Sequence, residues 1–312
     1  MFICIGNFYR QLSTLNTPSE DSNWLYTISP KKSVINLNFK EIWYYRDLLL
    51  LFVKRDVITL YKQTILGPLW YFIQPLFTSV IFTLVFNNIA DIKTGNGVPS
   101  FLFNLAGITA WNYFSACLNG TSDIFKQNQG IFGKVYFPRV IMPMSTVLSN
   151  LIKFGIQFLV FICFYIYFVF FTDVAFNTFP TVGIIWLPLV VFIMAFLGLG
   201  FGMMISSMTT KYRDLTFLVG FGVQLLMYGS AVMYPLSLIQ DKVSQGKLPD
   251  WVGAFIEYNP MTTIIELFRH ITLGVGTFSL SKLGYATLVS IMVFLLGLIV
   301  FNKTEKTFID TV

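Results

Sequence analysis

Residues 46–75 read RDLLLLFVKRDVITLYKQTILGPLWYFIQP, and this stretch decides the class of fold. Its first half mixes charged and apolar residues, whereas an aromatic, apolar run follows Gly67 and Pro68. This order is typical of a chain that lies along the cytoplasmic face of a bilayer and then crosses it. We therefore predict an N-terminal cytoplasmic segment over 1–39, an amphipathic interfacial helix over 40–66 and a transmembrane domain over 67–312.

The composition of the whole chain also indicates a membrane protein. Hydrophobic residues make up 55% of the 312 residues and charged residues only 12%, whereas soluble domains average ~25% charged. Six stretches approach or exceed the ~20 residues that cross a hydrocarbon core. They lie at 67–89, 101–120, 146–171, 182–207, 215–235 and 283–301, and the second and fifth are the more polar. The predicted fold is an all-α integral membrane protein with six transmembrane helices.

Lysine and arginine are distributed unevenly between the two sides of these spans. Fifteen of the 21 lie on the side of the two termini, and five lie on the other side. Because positively charged loops stay in the cytoplasm, we expect a multi-pass protein with both termini cytoplasmic.

The segment 236–282, between the fifth and sixth spans, has a helical pattern of its own. Asn259 and Pro260 are typical of an N-cap and a first-turn proline. The apolar pattern after them covers about 14 residues, which is too short to span a bilayer. We predict re-entrant helices here, with Glu266 and Arg269 beside the apolar face.

Several kinds of chemistry are excluded by the sequence. Neither Gly133-Lys134 nor Gly246-Lys247 is followed by Ser or Thr, so neither forms a phosphate-binding loop. The chain has one histidine, and its acidic residues lie almost wholly in predicted loops. A membrane-embedded transferase and a secondary transporter both need such groups within the spans. We expect no enzyme activity, no metal site and no cofactor in this chain.

Two basic regions each allow two interpretations. In 40–66, Lys54, Arg55 and Lys62 either anchor the segment or also meet lipid phosphates and a cytoplasmic partner. In the loop 121–145, the apolar residues around Phe132 either enter the headgroup layer or form a coupling helix that docks on a soluble subunit. We favour the partner interpretation in both regions.

Two patterns within the spans also remain open. Asn150, Lys153 and Gln157 share a helical face, and Lys153 either snorkels to the interface or faces a polar pathway. Gly198, Gly202 and Ser206 have the spacing that lets helices approach closely, which favours packing within the fold over a dimer contact.

Aromatic residues make up 18% of the chain, and many lie in spans one and five beside Gln74 and Gln224. Most pack between helices or face lipid. Rings that lined a pore would give a sliding sugar chain a stacking surface, which is a hypothesis for this chain.

The stretch 46–75 resembles the signature of ABC-2-type polysaccharide export permeases, the membrane subunits that export O-antigen, capsule or teichoic acid chains. The residues that carry the resemblance are Arg46-Asp47, Lys54-Arg55-Asp56, Tyr61-Lys62-Gln63-Thr64, Leu66-Gly67-Pro68-Leu69-Trp70 and Gln74-Pro75. Weaker similarity lies at 130–138, 211–215, Tyr234-Pro235 and Asn259-Pro260.

The resemblance implies a homodimer that works with two separate ATPase subunits, which bind ATP and Mg²⁺. It implies a channel between the two permeases, bordered by spans one and five. The positions that correspond to the channel wall are Trp70, Tyr71, Gln74, Phe77, Gln224, Met227, Tyr228 and Tyr234. Those that correspond to the ATPase-coupling loop are Gln129, Phe132, Lys134, Tyr136 and Arg139. Those that correspond to the external gate are Asn259, Pro260, Glu266 and Arg269.

The expected function is export of a lipid-linked polysaccharide across a bacterial inner membrane. The anchor phosphates of the polymer would meet Lys54, Arg55 and Lys62, and the other partners would be membrane lipids but no nucleic acid. An ABC-2-type exporter of a small molecule or drug is the first alternative, because it shares the fold. A non-ABC membrane-embedded transferase is the second. The aromatic content and the run 66–70 favour polymer export.

Overall fold

The structure, a computed structural model, describes residues 39–62, 67, 69–94, 97–132, 137–172, 182–212, 214–276 and 279–311. Within these ranges the chain is helical and has no strand, as predicted for an all-α membrane protein. Most of the predicted N-terminal segment lies outside the described residues, as do Pro68, Lys134 and Tyr136.

The helices follow one another along the chain with short connections. In chain order they are α1 (Phe39–Tyr44), α2 (Arg46–Tyr61), α3 (Leu69–Phe82, continued by a π-helix over Thr83–Ile89), α4 (Ser100–Ser122), α5 (Ile124–Gln127), α6 (Gln129–Phe132), α7 (Ile141–Phe171), a 3₁₀ turn (Val182–Trp186), α8 (Leu187–Thr209), α9 (Leu215–Tyr228), α10 (Leu236–Ser244), α11 (Asp250–Glu257), α12 (Pro260–Leu273) and α13 (Leu280–Thr311).

The predicted interfacial helix corresponds to α1 and α2. Tyr45 separates the two helices, and α2 ends at Tyr61 because the backbone of Lys62 is extended. Leu49 and Phe52 are buried on one face of α2, whereas Lys54 is exposed. One face of α2 therefore packs on the protein, whereas its exposed side carries Lys54 together with the apolar Leu50 and Leu51. Residues 63–66 of the predicted interfacial helix lie outside the described residues.

Four helical segments in the described part of the chain are long and apolar enough to cross a membrane. They are Leu69–Ile89, Ile141–Phe171, Gly183–Thr209 and Leu280–Thr304. Helix α4 has 23 residues but is more polar, and α9 has 14 residues. The count of six spans therefore depends on α4 and α9, and it remains a prediction.

The N-terminal part of α4 is joined to α3 and its π-helix by polar contacts. Asn104 is buried, and its amide donates to the Thr83 hydroxyl at 3.1 Å and to the Asn87 carbonyl at 2.8 Å. The Ser79 hydroxyl donates to the Phe101 backbone carbonyl at 3.1 Å. These bonds join α3 and its π-helix to α4, so Asn104 faces protein rather than lipid.

Helix α8 lies between α4 and α13 and contacts both closely. A Cβ atom added at Gly202 would lie 2.5 Å from Thr121 Cβ on α4. On another face of α8, Gly200 lies against Gly297 of α13 without room for a Cβ at either position. The prediction that Gly198 and Gly202 pack within the fold is confirmed, because both lie against α4 of the same chain.

The predicted fifth span extends to residue 235, but α9 ends earlier, at Tyr228. The chain then turns, and Ala231 adopts a positive φ of 50°. Helix α12 has 14 residues, and nearly all of them are buried against α4, α8, α13 and the 3₁₀ turn. The predicted N-cap is confirmed, since the Asn259 side chain accepts from the Met261 backbone N–H at 2.9 Å.

Candidate functional site

A polar cavity of about 200 Å³ lies between α3, α4 and α7. Its lining is provided by Tyr71, Gln74, Asn112, Tyr113, Ser115, Ala116, Asn150, Lys153, Phe154 and Gln157. Among these described residues Lys153 is the one cation, and none is acidic. Buried polar groups in a membrane domain are costly unless they meet polar partners, so this concentration is the first candidate for a functional site.

Lys153 points into this cavity rather than standing alone on a lipid-facing surface. Its ammonium donates to the Asn150 side-chain carbonyl at 2.8 Å and lies 5.6 Å from the centre of the Tyr71 ring. Asp56 of α2 acts on Lys153 electrostatically, but its carboxylate pairs with Arg55 at 2.7 Å. Of the two interpretations of Lys153, a position facing a polar site therefore fits the geometry.

Arg269 is buried and binds the backbone of the turn that follows α9. It has no exposed surface, and its guanidinium donates to the backbone carbonyls of Ala231, at 2.9 Å, and Val232. It also covers the Phe103 ring at 3.6 Å and lies 3.6 Å from the Glu266 carboxylate. Burial lowers the pKa of Arg269 to about 10, so the side chain remains charged at neutral pH.

The other predicted gate residues hold the same turn in place. The Asn259 amide donates to the Gly229 carbonyl and to the Ser230 hydroxyl, each at 3.0 Å. Pro260 occupies the first turn of α12, and Glu266 is buried. The four residues are thus gathered at the junction of α12 with residues 229–232. Their role as a gate remains a prediction.

Arg55 connects α2 to the loop between α4 and α7. Its guanidinium contacts Asp56 and lies 3.5 Å from the Asn128 side-chain carbonyl, between α5 and α6. Among the other residues predicted to meet lipid phosphates, Lys54 and Lys62 are exposed. The three residues therefore differ, because Lys54 and Lys62 are exposed and Arg55 contacts the neighbouring loop.

The predicted coupling residues that the structure describes also include both exposed and buried side chains. Gln129 is exposed at the start of α6, whereas Phe132 and Arg139 are buried. The Arg139 guanidinium lies 5.4 Å from the centre of the Phe132 ring. We use "α2 core" for the hydrophobic cluster that contains Phe132; its other buried members are Leu49, Phe52, Ile124, Phe125, Phe137, Val140, Ile141, Met142, Leu199, Met203, Leu298 and Phe301. This core joins α2 to the loop, α7, α8 and α13.

The polar cavity is lined by predicted channel residues of α3 and by none of those of α9. Trp70 and Phe77 are exposed, while Tyr71 and Gln74 face the polar cavity together with α4 and α7. On and after α9, Gln224 and Tyr228 are exposed, whereas Met227 and Tyr234 are half-buried. The Tyr234 hydroxyl donates to the Tyr228 backbone carbonyl at 2.6 Å. Their role in a channel wall remains a prediction.

The sequence reasoning missed the contribution of α4 to the polar cavity. Asn112, Tyr113 and Ser115 line it, and the Asn112 amide lies 3.5 Å from the Gln157 carbonyl. From the sequence alone, the polarity of Asn112 and Ser115 indicates only that the second span is more polar than the others. The available signal was that Asn112 and Ser115 are three residues apart and so share one face of a helix.

Comparisons with known proteins identify similar chains over most of this length. Residues 47–273 match the family described as ABC-2 type transporter. The "O-antigen export system permease protein RfbA" of Klebsiella pneumoniae is 26% identical over 269 residues, which cover 86% of this chain and 95% of the relative. A protein with the same description from Myxococcus xanthus is 25% identical over 233 residues, covering 74% of this chain and 82% of the relative.

Proposed function

This chain belongs to the ABC-2 type transporter family, whose members are membrane subunits of transporters, and we propose that it exports a lipid-linked cell-surface polysaccharide. In this proposal it is the permease, in the inner membrane of a bacterium with both termini in the cytoplasm. A separate ATPase subunit binds ATP and Mg²⁺ and drives the export.

One observation carries the choice of polysaccharide over a small molecule. The Klebsiella and Myxococcus relatives are both described as O-antigen export permeases, and the former aligns with 86% of this chain. The exposed aromatic residues of α3 and α9 support the same choice, because Trp70, Phe77, Phe221 and Tyr228 would offer rings to a passing sugar chain. A sugar ring presents C–H groups to such a surface and can slide along it.

The arrangement suggests how movement of the ATPase would reach the membrane domain. Gln129 of α6 is exposed, and the adjacent Phe132 is buried in the α2 core. A force applied to the loop at α6 would therefore act on α2 and α7 together, since close-packed interiors transmit displacement. The bond between Arg55 and Asn128 adds a polar connection between α2 and this loop.

The proposal places the transport path between two copies of the chain. Helices α3 and α9 both contact α4, and both expose large apolar side chains, including Phe77 and Phe217. Pairing of two permeases, each with one ATPase, would cover part of these surfaces and leave a path between them. In this arrangement the α10–α12 region forms the external, re-entrant part.

The function is tested on the complex as it occurs in its native membrane. We expect the affinity-tagged chain to co-purify with an ATPase that has a phosphate-binding loop. In proteoliposomes, the purified complex should move the lipid-linked polymer in an ATP-dependent manner. A complex that contains no ATPase, or one that transports small hydrophobic dyes but no polymer, would contradict the proposal.

Replacing Tyr228 by Ala tests the aromatic path. The ring is exposed, so its loss should leave expression unchanged, and Tyr234 keeps its bond to the backbone carbonyl of residue 228. One lost aromatic contact is worth ~0.5–1.5 kcal/mol, so we expect polymer export to fall about threefold to tenfold. The matched control is Tyr167→Ala, which removes an exposed ring from α7. Export at the wild-type rate in both variants would count against this path.

A further inference from the structure

The polar cavity lies close to the point where the chain enters the membrane domain. Helix α3 begins at Leu69, and its first two turns supply Tyr71 and Gln74 to the cavity. Helix α2 packs on α7, which supplies Lys153. If α2 lies along the cytoplasmic interface, as in the proposed function, the cavity is located near the lipid headgroups and not at the bilayer centre.

The charges of the cavity favour an anionic ligand. An ammonium group has three N–H donors, and Asn150 accepts one of those of Lys153. Among the described residues that line the cavity there is no carboxylate that could neutralise this charge. Asp56 lies nearby but is bound to Arg55 through two bonds, at 2.9 Å and 2.7 Å.

The remaining polar groups favour hydroxyls beside the anion. Gln74, Asn112 and Gln157 bring side-chain amides. Within the protein the Asn112 amide donates to Gln157 at 3.5 Å, and the Ser115 hydroxyl donates to the Asn112 backbone carbonyl at 3.3 Å. Each amide both donates and accepts hydrogen bonds, as a sugar hydroxyl does. The Tyr71 ring lies at one wall and adds an apolar surface. A bare phosphate ion would make no use of the Tyr71 ring.

We propose that this cavity binds a phosphate ester that carries a hydroxylated group, with the phosphate on Lys153 and the hydroxyls on the surrounding amides. A glycosyl phosphate has this chemistry, and so does the headgroup of phosphatidylglycerol. We assign the glycosyl phosphate at the lipid-linked end of the polymer, an assignment that rests on the proposed function. Lys153 then recognises the anchored end of the substrate before transport.

The test measures equilibrium binding of a radiolabelled polyprenyl phosphoglucose to the purified permease–ATPase complex in phosphatidylcholine nanodiscs without ATP. Charge-assisted hydrogen bonds contribute ~1.5–3 kcal/mol, so Lys153→Met should raise the Kd about tenfold or more. Lys153→Arg keeps the charge and should lose less. Gln157→Glu places a carboxylate beside Lys153 with almost no change of shape, and should weaken binding by a similar factor.

The control is Lys242→Met, which removes an exposed lysine of α10 outside the cavity. Its Kd should match that of the wild type. Thermal unfolding of each variant shows whether the cavity survives the substitution. Unchanged binding in folded Lys153→Met and Gln157→Glu complexes would overturn the proposal, and so would equal binding of the uncharged polyprenyl alcohol.

Competition experiments distinguish the two sources of the phosphate ester. If the cavity binds the glycosyl phosphate of the polymer, excess phosphatidylglycerol should displace the probe only weakly. That result, together with a higher Kd of Lys153→Met, supports the assignment. Complete displacement at comparable concentration would overturn the assignment to the polymer end. Binding is measured without transport, so the two proposals can fail separately. If the wild-type complex exports polymer and the Lys153→Met complex binds the probe normally, the binding site is refuted but the proposed function is not. A complex that binds the probe through Lys153 but exports no polymer would contradict the proposed function and leave the binding site intact.

Discussion

Replacing Arg269 by Met is expected to destabilise the protein by about 3–5 kcal/mol, as is typical when one partner of a buried ion pair is removed. The methionine would fill much of the space but could not donate to the carbonyls of Ala231 and Val232. It would also leave the buried Glu266 carboxylate beside an apolar side chain. Unfolding of the purified protein in mixed detergent micelles, with increasing denaturing detergent, measures the difference.

The matched control for this prediction is Arg46→Met. That side chain is more than half exposed, at 55%, and its nearest acidic oxygen, on Asp47, lies 3.9 Å away. We expect a change within the range of exposed ion pairs, ~0–1 kcal/mol. Arg269→Lys should give an intermediate loss, because one ammonium cannot reproduce the fork that contacts two carbonyls. Equal stability of Arg269→Met and Arg46→Met would show that the contacts of Arg269 with the turn contribute little to the free energy of unfolding.

Replacing Gly202 by Ala is expected to separate α8 from α4. The new Cβ would lie 2.5 Å from Thr121 Cβ and 2.9 Å from the Leu118 backbone carbonyl, and the backbone carbonyl cannot rotate away. Overpacking of this kind typically costs ~1–3 kcal/mol. It should exceed the gain of ~1 kcal/mol from the higher helix propensity of Ala. The expected result is a lower thermal unfolding temperature and a smaller yield of monodisperse protein.

Gly155→Ala provides the comparison for this substitution. Gly155 lies within α7, and no described atom beyond its own turn of helix lies within 4 Å of the position that its Cβ would occupy. Helix propensity alone then predicts a stability equal to or higher than that of the wild type. If both glycine variants unfold at the same temperature, the close contact between α8 and α4 does not limit stability.

The local parts of the structure could be predicted well because their signals lie within a few residues. Asn259 and Pro260 predicted the start of α12, and the side chain of Asn259 does cap that helix. The long apolar runs predicted the four helical segments that can cross a membrane. The end of α9 could not be predicted in this way. The turn after Tyr228 is held by Arg269, whose bonds reach back 38 and 37 residues in the chain.

In the candidate site, too, local features could be predicted from the sequence and contacts between helices could not. Asn150, Lys153 and Gln157 could be placed on one face of a helix from their spacing. The structure was needed to bring Asn112 and Tyr71 to that face, because they lie on two other helices. In the predicted coupling loop, burial could not be predicted from the sequence. Phe132 and Arg139 are buried in or beside the α2 core, and of the described coupling residues only Gln129 is exposed.

The sequence by itself determined the class of protein, the apolar helices and the family resemblance of residues 46–75, because hydrophobicity and helix caps act over one or two turns. Only the tertiary structure decided that Lys153 faces a cavity, that the Asn104 amide of α4 donates to two side chains of the π-helix, and that Arg269 binds the backbone of the turn after α9. Those outcomes depend on partners on other helices, and a buried charge or amide becomes stable only when such partners are brought within hydrogen-bond distance.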